Sequence, residues 1–220
     1  RKMKFTVSEL KKSIYMKETM QEENVPDGEF LYEEPEVVPL LPRFLQEEEE
    51  KGGAARGTAY HRVLELLDLT EEYDAKGLKE AIESFREQGK ITEETGKMIR
   101  VKDFLSFFDT SARKRMAESA RCGKLYKEQP FVLGVPASEL YEQKTEEWIL
   151  VQGIIDVYFE EEDGFVVLDY KTDRVSDEKE LVDKYHAQLD YYAKALEQLT
   201  EKKVKEKLIY SFALGKEIRL

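Results

Sequence analysis

The chain has 220 residues, of which 41% are hydrophobic and 37% are charged, and its formal net charge is −12. This length suits one or two domains that bury a core, and no apolar run reaches the ~18 residues that a membrane span needs. The acidic balance argues against strong nucleic-acid binding by the chain alone, because Lys and Arg supply most non-specific affinity for a phosphate backbone. The single cysteine, Cys122, excludes a disulfide framework, a zinc ribbon and a four-cysteine iron–sulfur cluster within this chain. We expect a cytoplasmic protein without a signal peptide, and Arg1 in place of Met is typical of a piece of a longer polypeptide.

The N-terminal segment, residues 1–50, predicts a short helix followed by an extended acidic connector. Its first part, FTVSELKKSIYMK at 5–17, has Thr6 and Glu9 at the spacing of a capping box. Prolines and glutamates then punctuate residues 18–50, which end in QEEEE. This composition favours a solvated connector over a functional acidic tail.

The rest of the chain, 51–220, predicts helices followed by strands. Apolar residues in GGAARGTAYHRVLELLDL follow helical spacing, at Tyr60, Val63, Leu64 and Leu67. Further helices are predicted at 74–88, 92–108, 111–121 and 177–199. Strands are predicted, from β-branched and aromatic runs bounded by turn signals, at 128–135, 147–159, 164–172 and 207–215. This order predicts an α/β fold with a mixed β-sheet flanked by helices, in which the last strand can run parallel after a helical crossover.

The stretch GFVVLDYKTDRV begins as a buried strand and ends with Asp169 and Lys171, which share one face of that strand. The preceding strand carries Asp156 in GIIDVYF. If Glu161–Gly164 form a four-residue loop, Asp156 lies opposite Asp169. If Asp163 and Gly164 form a two-residue turn, Asp156 lies opposite Lys171 instead. Both registers place the two carboxylates and the ammonium on one face of the sheet.

Carboxylates on opposed strand positions repel each other, since their Cβ atoms lie roughly 4.5–5.5 Å apart. The pair Asp156 and Asp169 therefore needs a cation. Lys171 can supply the charge, which would make the group a structural ion-pair network. Oxygen ligands at this spacing equally suit Mg²⁺ or Mn²⁺, so the residues by themselves leave both interpretations open.

Several motifs carry a family resemblance. GIIDVYF followed by VVLDYKT resembles the Asp…Asp-x-Lys core of the PD-(D/E)xK nuclease superfamily. ARGTAYHRVLELLDL resembles the histidine-bearing helix of the RecB-type branch, KEQPFVLG its Glu-x-Pro-Phe strand, and HAQLDYYAKAL its Gln-x-x-x-Tyr pattern. KFTVSELK, LPRFLQ and KEKLIYSFALG extend the similarity over nearly the whole chain to the C-terminal nuclease domains of AddA (RexA) subunits. Ile155 replaces the proline that precedes the first aspartate in much of the superfamily, as is usual in this branch.

The resemblance implies a restriction-endonuclease-like core at 51–220 with an extended N-terminal arm at 1–50. It implies a Mg²⁺-dependent exonuclease acting on DNA with little sequence specificity, in which Mn²⁺ can replace Mg²⁺ and no iron–sulfur cluster is present. ATP would serve only a helicase part outside this chain, because no GxxxxGK[ST] motif occurs here. The implied partners are a DNA strand delivered by that helicase part and an AddB-like subunit, in double-strand-break repair and recombination, with no membrane.

The resemblance also assigns roles to individual residues. The metal ligands it implies are His61, Asp156, Asp169 and the carbonyl of Tyr170. Lys171 would orient the attacking water and stabilise the transition state, and Glu128 would lie at the edge of the metal site. Gln188 and Tyr192, one helical turn apart, would hold substrate phosphate or the catalytic lysine.

Each of these residues also has a plainer interpretation. His61 can be a partly buried, hydrogen-bonded histidine, and Glu128 an exposed strand acid. Gln188 and Tyr192 can be a packed tyrosine with a capping amide. The second histidine, His186, matches no motif and is predicted to be a surface or helix-packing residue.

The densest basic cluster has two open interpretations, a solvated helix face and a track for single-stranded DNA. Its residues are Arg113, Lys114, Arg115, Arg121 and Lys124. Two rival functions also remain open for the whole domain. One is a catalytically degenerate nuclease fold that binds DNA or braces a partner protein, and the other is a structural domain with a plain ion-pair network.

Overall fold

The structure is a computed structural model that describes residues 53–136 and 148–220. The helix predicted at 5–17 and the acidic connector predicted up to residue 50 lie outside the described residues. The helices of the described part are α1 Gly53–Leu66, α2 Ala75–Glu87, α3 Glu93–Met98, α4 Val101–Phe108, α5 Ser111–Arg121 and α6 Glu178–Thr200. Its strands are β1 Leu125–Pro136, β2 Trp148–Glu161, β3 Gly164–Lys171, β4 Val204–Ser211 and β5 Lys216–Arg219.

Side-chain caps define where most of these helices begin. A short polar side chain accepts a hydrogen bond from a first-turn N–H that has no partner inside the helix, and the capping residues are Asp74, Thr92, Thr110 and Asp177. The single helix predicted at 92–108 is wrong, because Ile99 and Arg100 are extended and separate α3 from α4. Gly96 weakens the preceding helix, and Ile99 packs against the main core.

The strands form one mixed sheet in the order β1-β2-β3-β4-β5. β2 and β3 are an antiparallel hairpin, β3 and β4 pair in parallel through α6, and β4 and β5 are antiparallel. The predicted α/β class and the parallel crossover are thereby confirmed. The strand predicted at 207–215 ends at Ser211 instead, and β5 follows a turn in which Gly215 adopts φ +66°. β5 has the sequence KEIR, and its single apolar residue, Ile218, is too little to predict a strand.

The two faces of β3 and β4 face different helices. On one face, Leu168 and Tyr210 belong to a large core with Tyr60 of α1 and Phe104 of α4. On the other face, Ile209 packs with apolar residues of α6. Every residue of β3 after Gly164 is buried, as expected for a strand covered on both sides. Charged side chains at the end of β3 therefore lie in a largely dry environment.

Backbone contacts divide the described residues into two units. The larger contains residues 53–130 and Ile154–Leu220, and every predicted site residue belongs to it. The smaller contains residues 131–136 and 148–153. Within the described residues, no helix combines the length and apolar character that a bilayer crossing requires.

Candidate active site

The β2–β3 hairpin sets the register of the carboxylates. Glu160 pairs with Phe165 and Glu161 with Gly164, so Glu162 and Asp163 form the turn. This is the register predicted for a four-residue loop, with the ladder extended by one pair into that loop. The last backbone pair is Val157 with Leu168. One further step in the same register places Asp156 opposite Asp169.

The two strands stop pairing where the carboxylates begin. The backbone N–H of Tyr170 donates to Oδ2 of Asp156 at 2.8 Å, so a side chain takes the place of a ladder partner. Asp156 is 8% exposed and Asp169 is 1% exposed. Burial of acids at the open end of a hairpin is costly unless cations or hydrogen bonds compensate. The surrounding residues supply both.

His61 reaches this end of the sheet from α1. Its Nδ1 lies 3.3 Å from Oδ1 of Asp156, and its Nε2 lies 2.9 Å from the carbonyl oxygen of Tyr170. Gly57, one turn earlier, allows α1 to approach, because a Cβ there would lie 3.3 Å from Oγ1 of Thr172. Both ring nitrogens are engaged, so coordination of a metal by His61 requires one of these contacts to open.

Glu128 approaches the same group from β1. It adopts φ +48°, an uncommon backbone conformation for a residue other than glycine. Ligand atoms of Glu128, His61 and Asp156 all lie within 4.8 Å of one another. The neighbouring Lys127 ties β1 to the end of α1, since its Nζ donates to the carbonyls of Leu64, Glu65 and Leu67. The half-buried position of Glu128 differs from the exposed strand acid of the plainer interpretation.

Lys171 lies on the α6 side of the group. Its Nζ is 2.8 Å from Oδ2 of Asp169 and donates to Oε1 of Gln188 at 3.1 Å. Gln188 in turn donates from Nε2 to the hydroxyl of Tyr192 at 2.6 Å. Gln188 thus contacts Lys171 and Tyr192 contacts Gln188, and a role of the two residues in holding a catalytic lysine stays a prediction. Contact of either residue with substrate stays a prediction.

Burial and the neighbouring charges shift the pKa values of the residues in this group. Burial raises the pKa of Asp169 to about 7, with Lys171 opposing the rise and Asp156 adding to it. Burial, with the charge of Asp156, also raises the pKa of Glu128 to about 7. Burial disfavours the charge of Asp156, but His61 and Lys171 outweigh it and hold the pKa of Asp156 below its usual value. Burial would likewise lower the pKa of His61, but Asp156 outweighs it and raises that pKa to about 9. The charge of a protonated His61 therefore compensates the carboxylates.

The donor set fits a divalent cation. One imidazole and carboxylate oxygens are ligands that Mg²⁺ or Mn²⁺ can take. Apart from the ion pair with Lys171, neither oxygen of Asp169 accepts a hydrogen bond from the described residues. A buried carboxylate left in this state is unusual, and a bound cation would satisfy it. Metal ligation by His61, Asp156, Asp169 and the Tyr170 carbonyl remains a prediction, and the described geometry adds Glu128 to the candidates.

Most residues of the basic cluster, which lies on and just after α5, make structural contacts, and Lys114 is exposed. Arg113 is 1% exposed, so the solvated-face interpretation is wrong for this residue. Its guanidinium bonds Glu72 and the carbonyl of Glu71 and lies 4.6 Å from the ring centroid of Phe108. The other paired cations of the cluster are Arg115 with Glu161 and Glu206, Arg121 with the carbonyl of Thr70, and Lys124 with Glu160. This pairing speaks against a DNA track along α5.

Two residues near the site carry no motif and were not predicted. The ring of Tyr185 lies under Lys171, and Lys127 anchors the strand that carries Glu128. Tyr185 precedes Gln188 by one helical turn, so helical spacing could have predicted that both residues lie on the same face of α6. His186 is exposed, as predicted, and its Nδ1 lies 3.1 Å from the carbonyl of Val182.

Comparison with known proteins agrees with this geometry. The model of the PD-(D/E)XK nuclease superfamily matches residues 34–218. The chain is 39% identical to the A subunit of the ATP-dependent helicase/nuclease of Lachnoclostridium phytofermentans, over 84% of this chain and 16% of that protein. It is 36% identical to the corresponding protein of Clostridium perfringens, over 98% of this chain and 18% of that protein. It is 41% identical to the corresponding protein of Thermoanaerobacter sp., over 79% of this chain and 14% of that protein.

The chain thus spans less than a fifth of the length of these relatives. The residues matched by the superfamily model include the described carboxylate group and its lysine. The chain belongs to the PD-(D/E)XK nuclease superfamily and is homologous to the nuclease region of the helicase/nuclease protein AddA.

Proposed function

We propose that this domain is a divalent-metal-dependent exonuclease that hydrolyses phosphodiester bonds in DNA with little sequence specificity. The observation that supports it best is the convergence of His61, Glu128, Asp156 and Asp169, with Lys171, at the open end of one hairpin. A plain ion-pair network does not need the grouping of Glu128, His61 and Asp156 at ligand distances.

The residues of the site have three separate roles in the proposed reaction: metal binding, orientation of water and positioning of Lys171. The residues that would hold the cation are His61, Glu128, Asp156 and Asp169, with the carbonyl of Tyr170. When bound, Mg²⁺ or Mn²⁺ supplies Lewis acidity, which polarises the scissile phosphate and makes water a better nucleophile. Lys171 orients the attacking water and stabilises the negative charge that develops on the phosphoryl oxygens. Gln188 and Tyr192 keep Lys171 at that position.

The net negative charge of the domain is consistent with delivery of DNA by a separate helicase part. The net charge of −12 disfavours independent DNA binding, and the basic residues of α5 are largely committed to structural contacts. We infer that a helicase part of the same polypeptide supplies one DNA strand, that an AddB-like subunit completes the assembly, and that the setting is cytoplasmic double-strand-break repair and recombination. The isolated domain is then expected to degrade single-stranded DNA slowly and with strong salt sensitivity.

The test is digestion of end-labelled single-stranded DNA by the 220-residue chain at low salt, with Mg²⁺, with Mn²⁺ and with EDTA. Asp156→Ala is expected to abolish cleavage and weaken Mn²⁺ binding measured by calorimetry. Lys171→Ala is expected to lower the cleavage rate by about 10²–10³-fold, as when an electrostatic stabiliser is removed, while Mn²⁺ still binds. His61→Ala is expected to weaken Mn²⁺ binding, and His186→Ala, which changes the exposed histidine, is the matched control.

Different failures identify different errors. A wild-type chain that neither binds Mn²⁺ nor cleaves DNA, even at high protein concentration, refutes the nuclease proposal and supports the degenerate fold. Equal cleavage by the wild type, Asp156→Ala and Lys171→Ala also refutes it. Metal binding without any cleavage would assign the site a binding role only.

A further inference from the structure

The ammonium of Lys171 rests on an aromatic ring. Its Nζ lies 4.0 Å from the ring centroid of Tyr185, within the range of a cation–π interaction. Lys171 is 6% exposed and Tyr185 is 2% exposed, so water screens the contact little. Attraction between a cation and a ring is strongest under such desolvated conditions.

The ring itself is held at both ends. Its body packs among Leu181, Leu189 and Ile209, in the core between α6 and the sheet. Its hydroxyl donates to Oδ1 of Asp173 at 2.8 Å, and Asp173 also accepts from Lys184. Asp173 lies two residues after Lys171, the last residue of β3. The ring is therefore tied to the strand end that carries the lysine as well as to its own helix.

A lysine side chain is long and loses much rotational freedom when it is fixed. The contacts with Asp169 and Gln188 restrain its nitrogen from two sides. The ring face of Tyr185 restrains the Lys171 nitrogen from a third side. It does so without accepting a directional hydrogen bond, so the contact with Tyr185 uses none of the N–H donors of Lys171.

We propose that Tyr185 is a positioning residue whose ring face holds the Lys171 ammonium at the reacting end of the hairpin. The inference rests on the proposed catalytic role of Lys171. It distinguishes Tyr185 from a tyrosine that only fills the core, because a core role requires the volume of the ring and not its π-face.

The experiment compares two substitutions of Tyr185 in the same chain. Tyr185→Phe keeps the ring and removes the hydroxyl, and it is expected to retain kcat within about threefold, since the cation–π contact remains. Tyr185→Leu keeps an apolar side chain and removes the ring, and it is expected to lower kcat about tenfold with KM and the Mn²⁺ Kd unchanged. Leu181→Ala, a fully buried position in the same cluster, is the control for core damage. It is expected to lower the Tm while keeping kcat at temperatures where the variant is folded.

A second measurement reads the contact directly. In NMR spectra of protein with isotope-labelled lysine, the ε-CH2 protons of Lys171, assigned by Lys171→Arg, are expected to be shifted upfield by the ring current. The shift is expected to persist in Tyr185→Phe. Absence of the shift in the wild type refutes the proposal even if Tyr185→Leu does not fold.

The outcomes separate this inference from the proposed function. If Lys171→Ala removes activity but Tyr185→Leu retains wild-type kcat, Tyr185 is a core residue only. If Lys171→Ala retains activity, the catalytic role of Lys171 fails, and the positioning role fails with it.

Discussion

Replacement of Arg113 by alanine is expected to destabilise the domain without altering its interaction with DNA. Arg113 belongs to the basic cluster for which a DNA track was one interpretation. Its side chain is 1% exposed and its guanidinium bonds Glu72 and the carbonyl of Glu71 while covering the ring of Phe108. A cation so placed cannot reach a phosphate unless the surrounding core opens.

The size of the effect follows from these contacts. Loss of a hydrogen bond from a charged donor costs about 1.5–3 kcal/mol, and loss of the cation–π contact costs about 0.5–2 kcal/mol. The ion pair with Glu72 adds little, because the Glu72 side chain is 78% exposed. Substitution recovers the desolvation of the buried guanidinium, so we expect a net loss of about 2–3 kcal/mol in the free energy of unfolding. For a domain of this size that loss corresponds to a fall in Tm of about 4–12 °C.

Thermal unfolding and single-stranded DNA binding at several salt concentrations measure the two effects separately. Lys114→Ala is the matched control, since it removes the same charge from an exposed position on the same helix. It is expected to change the free energy of unfolding by less than about 0.5 kcal/mol. If Arg113→Ala keeps the wild-type Tm but lowers the salt slope of DNA binding by about 0.7, the loss of one single-strand phosphate contact, the structural interpretation is refuted.

Three further substitutions test the packing around the hairpin, α1 and α3. Arg115 lowers the pKa of Glu161 to about 2 by hydrogen bonding, so this contact stabilises the fold above the unfolded-state pKa and the stabilisation is lost as pH falls towards 2. Glu161→Gln is expected to lower the free energy of unfolding by about 0.5–1 kcal/mol near neutral pH. The Tm difference from wild type should vanish in acid, where Glu161 is protonated. A Tm difference that stays constant with pH would show that the charge of Glu161 is not what stabilises the fold. Gly96→Ala meets nothing within 4 Å and should gain about 1 kcal/mol from helix propensity. Gly57→Ala, whose Cβ would lie 3.3 Å from Oγ1 of Thr172, should lack this gain and weaken Mn²⁺ binding in calorimetry. Equal gains at the two glycines would show that the close approach of α1 is not needed.

Most of the fold could be predicted because each element depends on local patterns. The helical spacing of Tyr60, Val63, Leu64 and Leu67 predicted α1, and all four side chains are buried. The predictions failed where tertiary contacts overrode the pattern or the pattern was absent. Ile99 packs into the core and interrupts a predicted helix, and β5 forms from a mostly charged sequence because β4 offers it a pairing edge.

For the site, the sequence alone determined which side chains share a face. Alternation along a strand placed Asp169 beside Lys171, and hairpin loops of two or four residues both put Asp156 with them, whereas a three-residue loop would not. Helical spacing likewise put Gln188 and Tyr192 on one stripe of α6. These relations are local or nearly so, and they required no knowledge of how distant segments pack.

Only the tertiary structure decided which distant groups those side chains meet. It brought Glu128 to His61 and Asp156, turned Arg113 into the core, and placed Tyr185 under Lys171. None of these outcomes follows from residue type, since the same Arg or Glu is equally compatible with a solvated surface. The close packing of α1, β1 and α6 against one end of the sheet determines which charges are buried together, and therefore which of them are paired.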